Sequence, residues 1–206
     1  MASLVRAGYD PREAPKVFQV LMSESGDRGP VETFFFGSHP QLQERIATTT
    51  KLATTTYGAA AAEPDRILNT EDFDLRTRTV VRENAYEDIR LGRFPLAQRQ
   101  LDRVLAVTPR DPVAHLHYGD LHRLKSQRAK SPDDRAADTK LALERYERAA
   151  ELDPGYADPW RQLGFLYFQQ KDRDRARAAF EKYIALKPDA PDARRIKEYL
   201  VELDRP

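Results

Sequence analysis

Histidine offers this chain its main route to metal or acid–base chemistry, and the four histidines are His39, His115, His117 and His122. A zinc-binding helix of the HExxH type places two histidines at i and i+4, so that both nitrogens reach one ion. No two of the four have that spacing. On a helix His115 and His122 would share a face, but about 10 Å apart along the axis. We therefore expect no metal ligands and no cofactor on this chain.

Other catalytic combinations are equally incomplete. Ser38 is adjacent to His39, but the sequence identifies no third partner and no oxyanion loop for a nucleophile. Glu32 and His39 fall in a segment that reads as a loop, where such side chains are usually solvated. Neither GxGxxG nor a P-loop is present. The sequence therefore predicts no catalytic residues and directs attention to binding.

The charge balance narrows the class of partner. Lys and Arg number 34 against 33 Asp and Glu, which gives a net charge of +1. Nucleic acids and anionic membranes attract a clustered positive field, so we expect neither as a partner. No apolar run approaches the roughly 20 residues that a membrane-spanning helix needs, and we expect no membrane insertion. Cysteine is absent, which excludes disulfides.

The elements that position any site are indicated by a pattern near the C-terminus. Its residues are Trp160, Leu163, Gly164, Tyr167, Ala176, Phe180 and Pro188. They reproduce the spacing W-x2-L-G-x2-Y…A-x3-F…P of the tetratricopeptide repeat. The chain resembles tetratricopeptide-repeat proteins, which implies an all-α array of helical hairpins and a role in protein–protein interaction. We expect Trp160, Leu163, Tyr167, Ala176 and Phe180 to form one buried cluster, with Gly164 close to Ala176.

The period of the pattern sets the repeat boundaries. Helix-like runs end at Pro109, Pro154 and Pro188, at intervals of 45 and 34 residues. The excess of 11 residues fits an insertion near 126–138, whose polar residues Ser126–Asp134 we predict to be a loop between two helices. The repeats then cover about 78–111, 112–156 and 157–190, followed by a capping helix at 191–204.

In this fold the first helix of each repeat lines a groove, and one face of each helix meets the ligand. By register the predicted groove residues are Arg82, Tyr86, Arg90, Leu116, Asp120, Arg123, Arg161, Phe165 and Gln169. Arginines beside aromatic rings can hold carboxylates by charge-assisted bonds. The predicted ligand is therefore a protein or peptide segment that is acidic or ends in a carboxylate.

Residues 1–56 do not follow the repeat, and the Thr- and Ala-rich residues 57–70 are predicted as a linker to the repeat domain, 71–206. The segments RAGYDPREAPKVF and FFFGSHPQLQERI resemble the C-terminal end of the catalytic domain of HExxH zinc metallopeptidases, the CAAX-prenyl-protease and heat-shock-protease superfamily. The resemblance implies a short helical remnant of that domain. It also places His39 in a loop near the active site of a parent protein, and makes Phe34–Phe36 a hydrophobic anchor in preference to an exposed binding edge.

The same resemblance implies a larger context. The parent would be a bacterial zinc metalloendopeptidase of the cell envelope or periplasm, with the cytoplasm as an alternative location. Its zinc ligands would precede this sequence, so this chain alone should be inactive. Its repeats would dock substrates or partners beside the protease. The alternative is a stand-alone scaffold or adaptor protein.

Overall fold

The computed structural model describes residues 1–25, 41–68 and 71–204. Within these ranges the chain is helical apart from turns and one isolated bridge between Tyr9 and Ile67. It divides into two compact units, Met1–Phe73 and Asp74–Pro206. The all-α prediction is confirmed. No helix of the described residues is long and apolar enough to cross a membrane.

In the part of the N-terminal unit that the structure describes, the helices are α1 (Ala2–Arg6), α2 (Glu13–Ser25), α3 (Gln41–Thr54) and α4 (Gly58–Ala61). Before α2, the fully buried Asp10 accepts a hydrogen bond from the Arg12 backbone amide at 2.8 Å and forms an ion pair with the Arg12 guanidinium. That guanidinium lowers the pKa of Asp10 against the opposing effect of burial. His39 and Phe34–Phe36 lie outside the described residues.

The predicted linker is partly structured. Its residues include α4, and the Ile67 amide donates to the Gly8 carbonyl at 2.9 Å while the Asp10 amide donates to the Ile67 carbonyl at 3.0 Å. The Thr-rich residues before it belong to α3, where the Thr49 hydroxyl donates to the Arg45 carbonyl one turn back. Because these bonds satisfy the polar groups locally, the Thr-rich composition does not interrupt the helix.

The C-terminal unit is a series of antiparallel helical hairpins. The first pairs α5 (Glu71–Arg90) with α6 (Phe94–Val107), the second α7 (Pro112–Arg128) with α8 (Pro132–Leu152), and the third α9 (Ala157–Gln169) with α10 (Arg173–Leu186). A final helix, α11 (Ala193–Asp204), follows them. Buried residues of the second and third hairpins and of α11 form one hydrophobic cluster, and those of the first hairpin and α7 form another.

Glycines allow the two helices of a hairpin to approach. A Cβ added at Gly164 would lie 2.4 Å from the Phe180 ring, and one at Gly119 would lie 2.4 Å from the Tyr146 ring. The three atoms nearest to the Cβ added at Gly164 all belong to Phe180, so Gly164 makes room for an aromatic ring, while its predicted approach to Ala176 stays a prediction. Ala176 is buried in the same cluster, as are Leu163, Tyr167 and Phe180, and Trp160 is partly buried against it.

The 11-residue insertion lengthens both helices of the second hairpin, and the predicted loop at 126–134 is wrong in its extent, because residues 129–131 alone separate the two helices. Helix α7 has 17 residues against 13 in α9, and α8 has 21 against 14 in α10. The differences of four and seven residues account for the insertion. Pro132 occupies the first turn of α8, and the Ser131 hydroxyl accepts a hydrogen bond from the Asp134 amide at 3.0 Å. These are helix-start signals, so the polar residues extend the helix.

Candidate functional site

A groove of about 490 Å³ lies across the first helices of the three hairpins in the C-terminal unit. Its lining comes from α5, α7, α9, α10 and the segments that precede α9 and α11. The lining residues are Tyr86, Leu116, His117, Asp120, Tyr156, Asp158, Arg161, Gln162, Tyr183, Pro191 and Asp192. Its volume lies within the usual range of about 300–1,000 Å³ for ligand sites.

Aromatic rings form much of the groove surface. The ring of Tyr86 stacks on the imidazole of His117, with 4.8 Å between ring centroids and 25° between planes. Burial, together with the nearby carboxylates of Asp158 and Asp120, raises the pKa of Tyr156 well above its ordinary value. At neutral pH this hydroxyl is therefore protonated and can donate a hydrogen bond.

Arg161 is held in place by an acidic and an aromatic neighbour. Its Nε donates to the Asp192 carboxylate, and its guanidinium lies 5.0 Å from the centroid of the Phe165 ring. The Tyr183 hydroxyl donates to the same carboxylate at 2.6 Å. Burial acts to raise the pKa of Asp192, but the bonds from Tyr183 and Arg161 outweigh it and lower that pKa. Asp192 is therefore ionised at neutral pH and compensates the charge of Arg161.

Arg82 is compensated in a similar way in the first hairpin. Its Nη1 lies 2.9 Å from Oδ2 of Asp111, and Asp111 also caps α7 by accepting from the Val113 amide at 2.9 Å. In the second hairpin, the register places Leu116 at the position of Arg82 and Tyr156 at that of Asp111. Both line the groove. At these two positions the second hairpin thus has a leucine and a tyrosine where the first hairpin has an ion pair.

Arg123 belongs to a buried network. Its Nη2 lies 3.2 Å from Oδ1 of Asp120, and its Nε donates to the Tyr146 hydroxyl at 3.1 Å. The Tyr146 hydroxyl in turn donates to Asp120 at 2.8 Å. Because these groups satisfy one another, the network fixes α7 against α8 and leaves no uncompensated charge among them.

Four of the predicted groove residues line the observed groove: Tyr86, Leu116, Asp120 and Arg161. The other five predicted residues are not among its lining residues. Arg82 and Arg123 are occupied by the ion pairs above, whereas Arg90 is exposed and pairs with Glu87 at 3.0 Å. Phe165 packs edge-to-face on Phe180 and Tyr199, with ring centroids 5.2 and 5.6 Å away. Gln169 is exposed at the end of α9.

Sequence reasoning missed seven lining residues: His117, Tyr156, Asp158, Gln162, Tyr183, Pro191 and Asp192. Several of them precede or begin a first helix. The sequence did contain one signal for such residues. Asp111 precedes α7 and pairs with Arg82 of the preceding first helix, so an aspartate at the start of a helix can indicate where a groove arginine is compensated. Asp192 before α11 repeats that arrangement with Arg161.

Within the described residues, no three His, Asp or Glu side chains are grouped so that they could hold a metal ion. His115, His117 and His122 are all buried on α7. Two of the three have hydrogen-bond partners: Nε2 of His115 lies 3.1 Å from the Pro109 carbonyl, and Nδ1 of His122 lies 2.8 Å from Asp138. These two contacts hold α7 to the segment before it and to α8.

Comparison with known families agrees with this architecture. Family models described as tetratricopeptide repeat match residues 83–130 and 134–201, which together exceed half of the chain. The chain carries tetratricopeptide repeats. Such repeats are protein–protein interaction modules, so the predicted class of function is confirmed at that level. The two matches lie within Asp74–Pro206, and the peptidase resemblance of the first residues receives no support from them.

Two known proteins are similar to this chain. The mouse protein O-mannosyl-transferase TMTC1 is 30% identical over 111 residues, which are 53% of this chain and 10% of that protein. The chain therefore spans about a tenth of that relative. The crystal structure of TTC0263, a thermophilic TPR protein in Thermus thermophilus, has a TM-score of 0.51 and 20% identity, over 84% of this chain and 76% of that one. It supports the repeat fold alone.

Proposed function

We propose that this chain binds an extended polypeptide segment in the groove between Tyr86 and Asp192. The observation that carries the proposal is the continuity of the groove, which takes lining side chains from all three repeats. Tyrosine hydroxyls and paired carboxylates offer hydrogen bonds at intervals, while Leu116 and the tyrosine rings offer apolar surface. A main chain with alternating polar and apolar contacts fits such a lining.

The ion pairs of the groove bear on the charge of the bound segment. An acidic or carboxylate-ended ligand was predicted because arginines fall on three first helices. In the groove, such a carboxylate would have to replace Asp192 at Arg161, since that guanidinium is already paired. Lys187 likewise pairs with Asp158 at 2.8 Å. Because the charges are compensated in pairs, we expect the affinity to depend only weakly on salt.

A steric block tests the site of binding. Gln162 lines the groove on α9, and Gln169 is exposed two turns later on the same helix. Peptides selected from a random library displayed on phage, with the full chain as target, supply the probes. Gln162→Trp should weaken their binding at least tenfold, as measured by fluorescence anisotropy. The matched variant Gln169→Trp should leave it unchanged.

The control separates groove blocking from a general effect of an added ring. Circular dichroism should show the same helicity for both variants, because neither glutamine is buried. Equal affinity of the selected peptides for wild type and Gln162→Trp would place the binding surface elsewhere on the chain and contradict the proposal.

A parent zinc metalloendopeptidase of the bacterial envelope is a separate proposal, and it rests on the two N-terminal sequence segments alone. A stand-alone scaffold is the alternative. The coding sequence upstream of Met1 distinguishes the two: an HExxH helix followed by a glutamate on a later helix supports the protease, and its absence supports the scaffold. Under either outcome the isolated chain should retain no zinc after dialysis, as measured by atomic absorption, and should not cleave casein.

A further inference from the structure

The groove contains a buried histidine that lacks hydrogen-bond partners. His117 lines the groove and is 7% exposed. Neither its Nδ1 nor its Nε2 has a hydrogen-bond partner among the described residues. Buried polar side-chain atoms are nearly always paired, and an unpaired one is costly to the folded state. The two unpaired nitrogens at this position therefore require an explanation.

The other two histidines of α7 do not share this feature. His115 and His122 are buried to a similar degree, and each has a hydrogen-bond partner, the Pro109 carbonyl and the Asp138 carboxylate. His117 differs from both in lining the groove. The unpaired nitrogens thus coincide with the surface that we assign to the bound segment.

Tyr86 covers one face of the His117 imidazole. The two rings stack at 4.8 Å, and Tyr86 is 36% exposed. An exposed side chain can change rotamer without disturbing a core. Tyr86 comes from the first repeat and His117 from the second, so movement of Tyr86 would free one face of the imidazole and let that ring turn toward a ligand that already lies along the groove.

The chemistry of the site favours an uncharged ligand group. Burial lowers the pKa of His117, so at neutral pH the imidazole carries one donor and one acceptor. Asp120, the closest acidic residue on α7, is already engaged by Tyr146 and Arg123. An amide, which both donates and accepts, can pair with either ring nitrogen. Leu116 and Tyr156 line the same groove and can contact the apolar parts of the segment.

We propose that His117 selects the bound segment by pairing one ring nitrogen with an uncharged amide of that segment after Tyr86 moves aside. The amide is either the carboxamide of Asn or Gln or a main-chain peptide group. The inference rests on the proposed function of the groove and adds to it the residue that determines specificity.

Two substitutions on one helix test the assignment. His117→Phe keeps a ring of similar size and removes the unpaired nitrogens, so the thermal midpoint should stay the same or rise. The affinity of the library-selected peptides should fall at least tenfold. His115→Phe deletes the bond to the Pro109 carbonyl, so it should lower the thermal midpoint and leave peptide affinity unchanged. Replacing each Asn or Gln of a peptide by Ala then distinguishes a carboxamide contact from a main-chain contact.

The outcomes separate this inference from the function on which it rests. Peptides that bind His117→Phe as well as wild type, but fail to bind Gln162→Trp, leave the groove function intact and overturn the role of His117. Peptides indifferent to both variants overturn both. A marked fall in the thermal midpoint of His117→Phe would show that the imidazole serves the fold, and would also overturn the inference.

Discussion

At the scale of single residues, helix packing in each repeat depends on matched sizes at one position on each helix of the hairpin. Gly164 faces Phe180 and Gly119 faces Tyr146, in both cases without space for a Cβ. In the first repeat the equivalent positions hold Ala85 and Leu101, both fully buried. A planar ring that lies against the backbone requires glycine, whereas a leucine leaves space for one methyl group. The two positions vary together.

Gly164→Ala should therefore destabilise the C-terminal unit by about 1–3 kcal/mol, the usual cost of overpacking. Urea denaturation followed by circular dichroism measures the change. Combining it with Phe180→Leu, which recreates the Ala85 and Leu101 pair, should cost less than the sum of the two single changes. Gly155→Ala is the control, since its added Cβ would meet only the Asp153 carboxylate, at 3.3 Å. Strict additivity of the two changes would refute the size matching.

At the scale of the element, α7 combines groove and core functions. Ten of its residues are buried, and three of them are histidines. Burial is the main cause that lowers the pKa of each histidine, and for His122 it outweighs the opposing effect of the hydrogen bond to Asp138. The folded helix therefore holds its histidines neutral where the unfolded chain would protonate them.

This difference in histidine pKa between the folded and unfolded states predicts that acid destabilises the fold. The ordinary histidine pKa is 6.5 and the folded values are lower, so the unfolded state binds more protons as the pH falls below 6.5. Above pH 6.5 the histidines therefore do not reduce the stability of the folded state. As the pH falls from 6.5 toward the lower pKa values of the folded state, the free energy of unfolding decreases. Each proton taken up on unfolding contributes a slope of at most about 1.4 kcal/mol per pH unit. Urea denaturation between about pH 7.5 and 5.5 measures it.

His117→Phe removes one of the titrating groups, and its stability should depend less steeply on pH than that of wild type. The pH range stays above about 5.5 so that carboxylate protonation does not contribute. A wild-type free energy of unfolding that is constant across this range would contradict the prediction.

At the scale of the whole molecule, local patterns predicted the helices well and the contacts less well. The prolines that end each repeat and the Trp160 to Pro188 pattern located the hairpins, because those residues act within one repeat. The ion pairs were not predictable in that way: Asp111 lies 29 residues from Arg82 and Asp192 lies 31 from Arg161. Periodicity places an arginine on a helix face, but it does not show which distant carboxylate compensates it. The acidic-ligand prediction depended on that missing information.

The insertion shows a second limit of local reasoning. Its residues are polar and lack an apolar period, which is typical of a loop. In the structure they continue two helices that already exist, so their stability comes from helix propagation and from the Ser131 cap. A segment that begins inside a helix needs no apolar face of its own to remain helical. Composition alone could not distinguish a loop from the extension of two existing helices.

In a repeat array each repeat is stabilised by its contacts with the neighbouring repeats. The short helix α11 should therefore contribute strongly to the stability of the third repeat. Ile196 is fully buried in the cluster shared by the second and third repeats, and Tyr199 packs on Phe168 with 5.0 Å between ring centroids. The Arg173 guanidinium also donates to the Leu203 carbonyl at 2.7 Å. Ile196→Ala should cost about 2–5 kcal/mol, measured by urea denaturation. Val201→Ala, on the same helix but 56% exposed, should change stability by less than about 0.5 kcal/mol.

Because repeats contact only their neighbours, hydrogen exchange should accelerate most in α9 and α10 of the Ile196→Ala variant and least in α5 and α6. Equal acceleration along all three repeats would mean that the unit unfolds as one body and that α11 does not act as a local cap.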